Sequence, residues 1–366
     1  MDTGPRLSNR TKAWLSAGVI AALLVVLVGA AEVAVRIRQS IKYGYAGSLD
    51  QVYEVDARTG LRVPKAGASF GPIAINSLGF RGPEISVSKP AGTVRIAFLG
   101  ASTTFCAEAS SNAAVWPNLV VEALRRHYPD SHFDYVNGAV PGYTVASSTR
   151  NFELRVAPLQ PDVIVIYHAT NDLSGELRGI AAKQSGSASI APPESSWLSR
   201  HSLLWNLVTK NLRLMFARSA AESRAGGSVR IDPESLGTEF RKDLTALVRA
   251  ARATGAVVAV VAFSTQLRAD QDEAARRTAM QSAVLYMPGI DFEQLLAAYR
   301  RYNAIIGEVA TSENVLVVGG EDRIPGNPMH FTDSVHFTDA GNREQASRVS
   351  ETLLSSPDLS GRVTRR

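Results

Sequence analysis

Near the end of the chain an aspartate stands three residues before a histidine, in Asp333-Ser334-Val335-His336. On one loop, that spacing lets the carboxylate hydrogen-bond the ring and fix its tautomer, which leaves the other ring nitrogen free to take a proton from a hydroxyl. A serine is a weak nucleophile until such a base is placed beside it. Ser102, in Gly100-Ala101-Ser102-Thr103-Thr104, is the candidate, because small residues let the chain turn sharply and leave its hydroxyl exposed. Acyl transfer also needs donors aimed at the developing oxyanion, each worth about 2.7–4 kcal/mol in comparable sites. The N–H groups of Ser102 and Gly142 and the side-chain amide of Asn171 are three such donors. Gly142 lies in Asn137-Gly138-Ala139-Val140-Pro141-Gly142-Tyr143, and Asn171 in His168-Ala169-Thr170-Asn171-Asp172. A glycine at 142 lets substrate approach the backbone closely.

Taken singly, each piece has an ordinary explanation. A small-residue turn after a strand supplies a helix cap, a glycine after a proline makes a turn, Asn-Asp caps the next element, and Asp-x-x-His is solvated loop. The weight comes from their conjunction, since all four fall where one α/β active site would collect them. Other groups are weaker candidates. His330 has no acidic residue at matching spacing and reads as a loop contact. His168 lines a pocket or packs at the sheet edge, and Cys106, the one cysteine, reads as a small buried hydrophobe. No metal-ligand cluster, dinucleotide fingerprint or P-loop is present, so no cofactor or metal is expected.

The elements that must position these residues form a regular alternation. Val94–Leu99, Phe133–Val136, Asp162–Tyr167, Ala256–Phe263 and Val315–Val318 read as short strands. The central ones are apolar throughout, as strands buried on both faces should be. Ala113–His127, Leu236–Thr254, Asp291–Thr311 and Thr338–Leu354 read as helices, with Thr338 as N-cap of the last. This pattern predicts a three-layer α/β domain over 93–356 on a parallel sheet of five strands. Residues 43–92, punctuated by Gly and Pro, are expected to be an irregular or β lead-in. Residues 174–235 break the alternation and are expected to be an insertion, either lid or partly disordered. Within it, Trp197, Leu203, Leu204, Trp205 and Leu207 read as core packing or the underside of a lid.

Charge locates the ends of the molecule rather than its ligand. The chain of 366 residues carries a formal +5. Residues 1–42 hold six Lys or Arg against two acids, for +4, and in the basic tail at 357–366 the last six residues, with Arg362, Arg365 and Arg366, add +3. The body between is therefore slightly negative, which argues against nucleic acid as a partner. The first basic cluster brackets Ala13–Ala31, nineteen uncharged residues rich in Leu, Val and Ala. That run is long for a removed signal and close to the length of a spanning helix, so 1–42 reads as a transmembrane anchor, with a cleaved signal as the alternative. If Arg6, Arg10 and Lys12 stay cytoplasmic, everything after Lys42 lies outside the membrane. One cysteine excludes an intramolecular disulfide framework.

The four blocks carrying Ser102, Gly142, Asn171 and Asp333/His336 resemble the SGNH (GDSL-type) hydrolase superfamily. The lead-in stretch Asn76-Ser77-Leu78-Gly79-Phe80-Arg81-Gly82 is similar to that of its membrane-anchored bacterial members. The resemblance implies a flavodoxin-like sheet of order 2-1-3-4-5, Ser102, His336 and Asp333 as the catalytic set, and Ser102, Gly142 and Asn171 as the oxyanion hole. It departs from the family pattern at Ala101, where an acidic residue is usual, and at Thr170, where glycine is common; neither change removes a catalytic group. The Gly-x-Ser-x-Gly elbow of α/β-hydrolases is absent around Ser102. The expected activity is hydrolysis of an acyl ester, with an acylated carbohydrate among the expected substrates. The same site can instead transfer the acyl group to a cell-surface polysaccharide, and a third reading is a non-catalytic glycan-binding protein on this fold.

Overall fold

Three runs, Thr93–Gly100, Val163–Tyr167 and Val257–Val261, are buried at every position. Alternation is lost in them because both faces of each strand are covered. With His132–Asn137 and Leu316–Val318 they form one five-stranded parallel sheet in a computed structural model. The structure describes residues 8–43, 49–185 and 229–364, with 198, 201–209, 211, 212 and 215 between. Numbering this sheet's strands β1 to β5 in chain order, their spatial order is β2-β1-β3-β4-β5, the flavodoxin-like arrangement. The two edge strands are the ones with exposed positions, such as His132 and Val317. Phe98 pairs with Asn137 on one side and Val165 on the other, so the strand ends of β1, β2 and β3 reach the same edge together.

Two compact units are distinguished, residues 1–51 with 194–212, and residues 52–193 with 213–366. The first contains helix α1, Asn9–Tyr43. Its 9–41 stretch, which contains an 18-residue window of mean hydropathy 2.5, is long and apolar enough to cross a membrane by length and composition. Trp14, Val19, Leu23 and Val26 along it are exposed. The helix runs well past the uncharged nineteen residues, because 32–43 is rich in helix formers and Glu32 pairs with Arg36 one turn on, at 2.7 Å. Glu32 also accepts the N–H groups of Leu203 and Leu204 (3.0 and 2.9 Å) and the Ser202 hydroxyl (2.9 Å), which caps the helix at 203–209. In that short helix Leu203 is buried, whereas Trp205 and Leu207 are exposed; Trp197 lies outside the described residues.

The second unit holds the sheet and helices α2 (Trp116–His127), α3 (Val145–Asn151), α4 (Thr170–Ser185), α5 (Thr238–Ala253), α6 (Phe292–Ser312) and α7 (Asp339–Leu354). Helix α2 packs on α7, while α3 packs on α5 and α5 on α6. Helix α2 begins at Trp116, three residues later than the sequence pattern predicts, because Pro117 suits the first turn and Val115 is the extended residue before it. Thr338 does cap α7, its hydroxyl accepting the Gly341 N–H. Helix α4 extends into the stretch expected to be irregular, since Leu173 and Leu177 bury in the core. Most of 186–228 lies outside the described residues. The basic C-terminal stretch is helical over Pro357–Thr364, with Leu359 and Val363 buried. The lead-in is built from two short antiparallel pairs, Tyr53–Val55 with Arg62–Pro64 and Ser69–Phe70 with Ile73–Ala74, followed by a bridge between Ile75 and Arg81.

Candidate active site

The chain turns immediately after β1. Gly100 is required there, because a Cβ would lie 2.7 Å from the Thr104 Cβ and 2.9 Å from the Tyr167 carbonyl oxygen. The next residues form a single helical turn, Ser102–Phe105, closed by Cys106 in the left-handed region at φ 55°. A turn this short has carbonyls with no partner inside it, and the surroundings supply them. The Thr103 carbonyl accepts the Trp116 indole N–H (3.0 Å), and the Thr104 carbonyl accepts the Asn137 amide (3.1 Å). The Phe105 and Cys106 carbonyls accept the buried Arg81 guanidinium. Asn342 on α7 accepts both the Trp116 N–H and the Cys106 thiol. The expectation of Cys106 as a buried group holds; burial pushes its thiol well above the ordinary range.

Ser102 Oγ lies 2.8 Å from His336 Nε2, and His336 Nδ1 lies 2.8 Å from Asp333 Oδ2. The second Asp333 oxygen accepts the N–H groups of Val335 and His336, both at 2.9 Å, which fixes the carboxylate under the ring. The loop is closed at its base by an antiparallel bridge between Phe331 and Phe337 and by the Thr332 N–H donating to the His336 carbonyl (2.8 Å). Ser334, buried inside it, is 2.7 Å from the Ser282 hydroxyl and donates to the Ala279 carbonyl at 2.6 Å. Burial disfavours a charged His336 ring, but the Asp333 hydrogen bond and the Glu108 and Asp333 charges outweigh it and push its pKa up to about 9. Burial also disfavours the Asp333 carboxylate, yet its bonds to His336 and Val335 hold it below the ordinary range.

The Ser102 N–H opens the helical turn and has no acceptor within it. Gly142 sits at φ +88°, with nothing within 4 Å of where a Cβ would be, so backbone conformation rather than crowding calls for glycine here. The Asn171 amide donates to the Tyr143 carbonyl at 2.8 Å, which ties the residue after Gly142 to the start of α4. Beside it, Asp172 accepts the Val145 N–H at 3.2 Å. Burial raises the Asp172 carboxyl to about 7 against that hydrogen bond. Sequence reasoning treated Asp172 as a cap and missed this second tie between the Gly142 loop and α4. His168 is buried and 2.7 Å from the Ser148 hydroxyl, where desolvation pushes its pKa down to about 3. His330 makes the expected loop contact, with Asn327 at 2.9 Å. Among the described residues no cluster of His, Cys, Asp and Glu is arranged to hold a metal ion.

Sequence reasoning also missed the groups that hold the Ser102 turn, Arg81, Asn137, Trp116 and Asn342. Of these, Arg81 and Asn137 stood in stretches that drew attention, Asn76–Gly82 and Asn137–Tyr143, but for other residues in them.

No curated protein matches the chain. Among solved structures, it is similar to an acetylxylan esterase of Geobacillus stearothermophilus, at 15% identity over 73% of this chain and 96% of that one, with a TM-score of 0.43. It is also similar to a two-domain esterase active on acetylated mannans (17% identity, 74% of this chain and 51% of that one, TM-score 0.43). A third is a lipase/acylhydrolase of Enterococcus faecalis (14% identity, 70% and 94%, TM-score 0.40). The sequence model of the GDSL-like lipase/acylhydrolase family matches residues 98–344, a span that runs from the end of β1 into α7 and takes in Ser102, Gly142, Asn171, Asp333 and His336. The chain belongs to the GDSL-like lipase/acylhydrolase family.

Proposed function

We propose that this protein is a serine-type ester hydrolase, anchored by α1 with its catalytic unit outside the cytoplasmic membrane, acting on an acylated carbohydrate or another small ester. The observation that carries the reading is the relay Ser102–His336–Asp333, with both contacts at 2.8 Å. In the first step His336 Nε2 takes the Ser102 proton as Oγ attacks the ester carbonyl, and Asp333 stabilises the imidazolium that forms. The N–H groups of Ser102 and Gly142 and the Asn171 amide receive the oxyanion. His336 gives its proton to the leaving alcohol, then takes one from a water that attacks the acyl-serine, and returns it to Ser102 Oγ as the acid departs.

The test is turnover of p-nitrophenyl acetate and a panel of acetylated sugars by the full chain in detergent. Ser102→Ala should abolish turnover and block covalent labelling by a fluorophosphonate. Unchanged turnover in the variant overturns the assignment. A sugar acceptor in the same assay reads the chemistry of deacylation: acyl-sugar formation that outpaces hydrolysis would make the protein a transferase on the same site. Failure to label, together with polysaccharide binding, would make it a binding protein.

A further inference from the structure

The Asn76–Gly82 loop lies outside the span that defines the family, and no step of the proposed reaction uses it. Its side chains are nonetheless committed to definite contacts. Asn76 Oδ1 accepts the N–H groups of Leu78 (3.1 Å) and Phe80 (3.0 Å), and its amide donates to the Pro83 carbonyl (2.9 Å), so the loop is fixed from within. Gly79 is at φ +78°, and a Cβ there would lie 2.8 Å from an Arg155 nitrogen and 2.9 Å from the Pro64 carbonyl oxygen. From this rigid loop two arginine contacts run in different directions. Arg81, fully buried, donates to the Asn112 amide oxygen (2.8 Å), to the Phe105 carbonyl (2.8 Å) and to the Cys106 carbonyl. These carbonyls end the turn that Ser102 begins. Arg155 stacks 4.7 Å over the Phe80 ring and donates to the Leu78 and Gly79 carbonyls, both at 3.3 Å. It also donates to Asn151 (3.1 Å), whose amide holds the Gly138 carbonyl (2.8 Å) at the start of the Gly142 loop.

We infer that the Asn76–Gly82 loop is a brace that sets the nucleophile turn and the oxyanion loop relative to each other, with Arg81 and Arg155 as positioning residues. The inference rests on the reading of Ser102 as nucleophile and Gly142 as an oxyanion donor. The Arg81 guanidinium reaches these acceptors from two nitrogens, Nε to the Asn112 amide oxygen and Nη1 to both carbonyls, and the three donors of a lysine, all on one nitrogen, do not reproduce that spread. Geometry at the reacting atoms is sensitive to small shifts, so a loosened brace should cost turnover rather than binding.

The experiment compares Arg81→Lys and Arg155→Met with wild type and with Ser77→Ala, whose hydroxyl in the same loop bonds Glu84 at the surface. Melting temperature, kcat and KM on p-nitrophenyl acetate, and the second-order rate of fluorophosphonate labelling are measured on the full chain in detergent. The brace predicts that both arginine variants, corrected for folded fraction, lose roughly ten- to a hundredfold in kcat and in labelling rate with KM unchanged. Ser77→Ala should keep wild-type kcat. Wild-type kcat per folded molecule in the arginine variants, or equal losses in Ser77→Ala, overturns the inference. If Arg81→Lys does not fold, Arg155→Met decides alone. A wild type that neither turns over ester nor labels at Ser102 removes the catalytic reading itself, a result distinct from active wild type with unaffected variants.

Discussion

Asp333→Asn is the substitution that separates a working relay from a structural cluster. The carboxylate makes three contacts: one oxygen takes the Val335 and His336 N–H groups, and the other takes His336 Nδ1. Asparagine keeps the first oxygen and its two backbone bonds, so the loop should hold its shape. Facing Nδ1 it presents an amide N–H₂, and the ring can meet that donor only by carrying its own proton on Nε2. The proton then points at Ser102, and the ring cannot accept another. Loss of the correct tautomer in a Ser-His-Asp set costs ~10⁴ in kcat, or about 5.5 kcal/mol of barrier.

A second signature comes from the ring's titration. Moving His336 from 6.5 to about 9 against the opposing effect of burial corresponds to roughly 3 kcal/mol of net preference for the charged ring. The base must be neutral to act, so wild-type kcat/KM should rise with pH and level off above about 9. In the variant the inflection should move toward acid. Stability carries the opposite sign, because the folded-state pKa is raised. The pair's contribution is full below 6.5 and is lost as pH rises through about 9. The melting-temperature deficit of Asp333→Asn should therefore be largest in mild acid and close in alkali. The assays are ester turnover across pH and circular-dichroism melts at both extremes. A variant within tenfold of wild-type kcat, or one with an unmoved inflection, refutes the reasoning.

Three further outcomes follow from the same geometry. Glu108→Gln removes a charge that favours protonated His336, so the pH–rate profile should shift to lower pH and activity at neutral pH should rise. Gly142→Ala places a side chain at φ +88° with no steric neighbour. It should cost about 1–2 kcal/mol of stability from backbone strain, read as a lower melting temperature, with kcat falling more than KM changes. Asp172→Asn tests the buried carboxyl beside Asn171. Its folded pKa of about 7 exceeds the ordinary 3.8, so wild-type stability is lost as pH climbs through that range. The variant should melt higher than wild type above about pH 7 and show no advantage in acid.

The sheet was legible because strands buried on both faces must be apolar at every position, as Val163–Tyr167 and Val257–Val261 are. Thr338 was legible for a local reason, since a cap and the N–H it holds are three residues apart. The same holds for Asp333 and His336, whose contact lies within one loop. Ser102, Gly142 and Asn171 could be selected because each follows a strand end, and parallel strands bring their ends to one edge. The supports were not legible in this way. Arg81, Asn112, Trp116 and Asn342 act through backbone carbonyls and amides far along the chain, and such a bond leaves no periodicity in composition. Cys106 in the left-handed region shows the same limit, because a lone cysteine says nothing of the sign of φ. The late start of α2 was different. Pro117 was present in the sequence, but the apolar spacing of 113–127 was given more weight than the proline's preference for the first turn.

The relay joins two contacts of very unequal reach. His336 meets Asp333 across three residues, inside a loop closed on itself between Phe331 and Phe337, whereas it meets Ser102 across 234 residues. Ring closure over so short a segment costs little entropy, and closure over so long a one depends on the whole sheet being assembled. The Asp333–His336 pair is therefore a locally encoded module, and the Ser102–His336 contact reports on global integrity. Partial unfolding of this protein should silence catalysis while the Asp333–His336 pair is still intact, so activity falls ahead of any spectroscopic sign that its loop has opened.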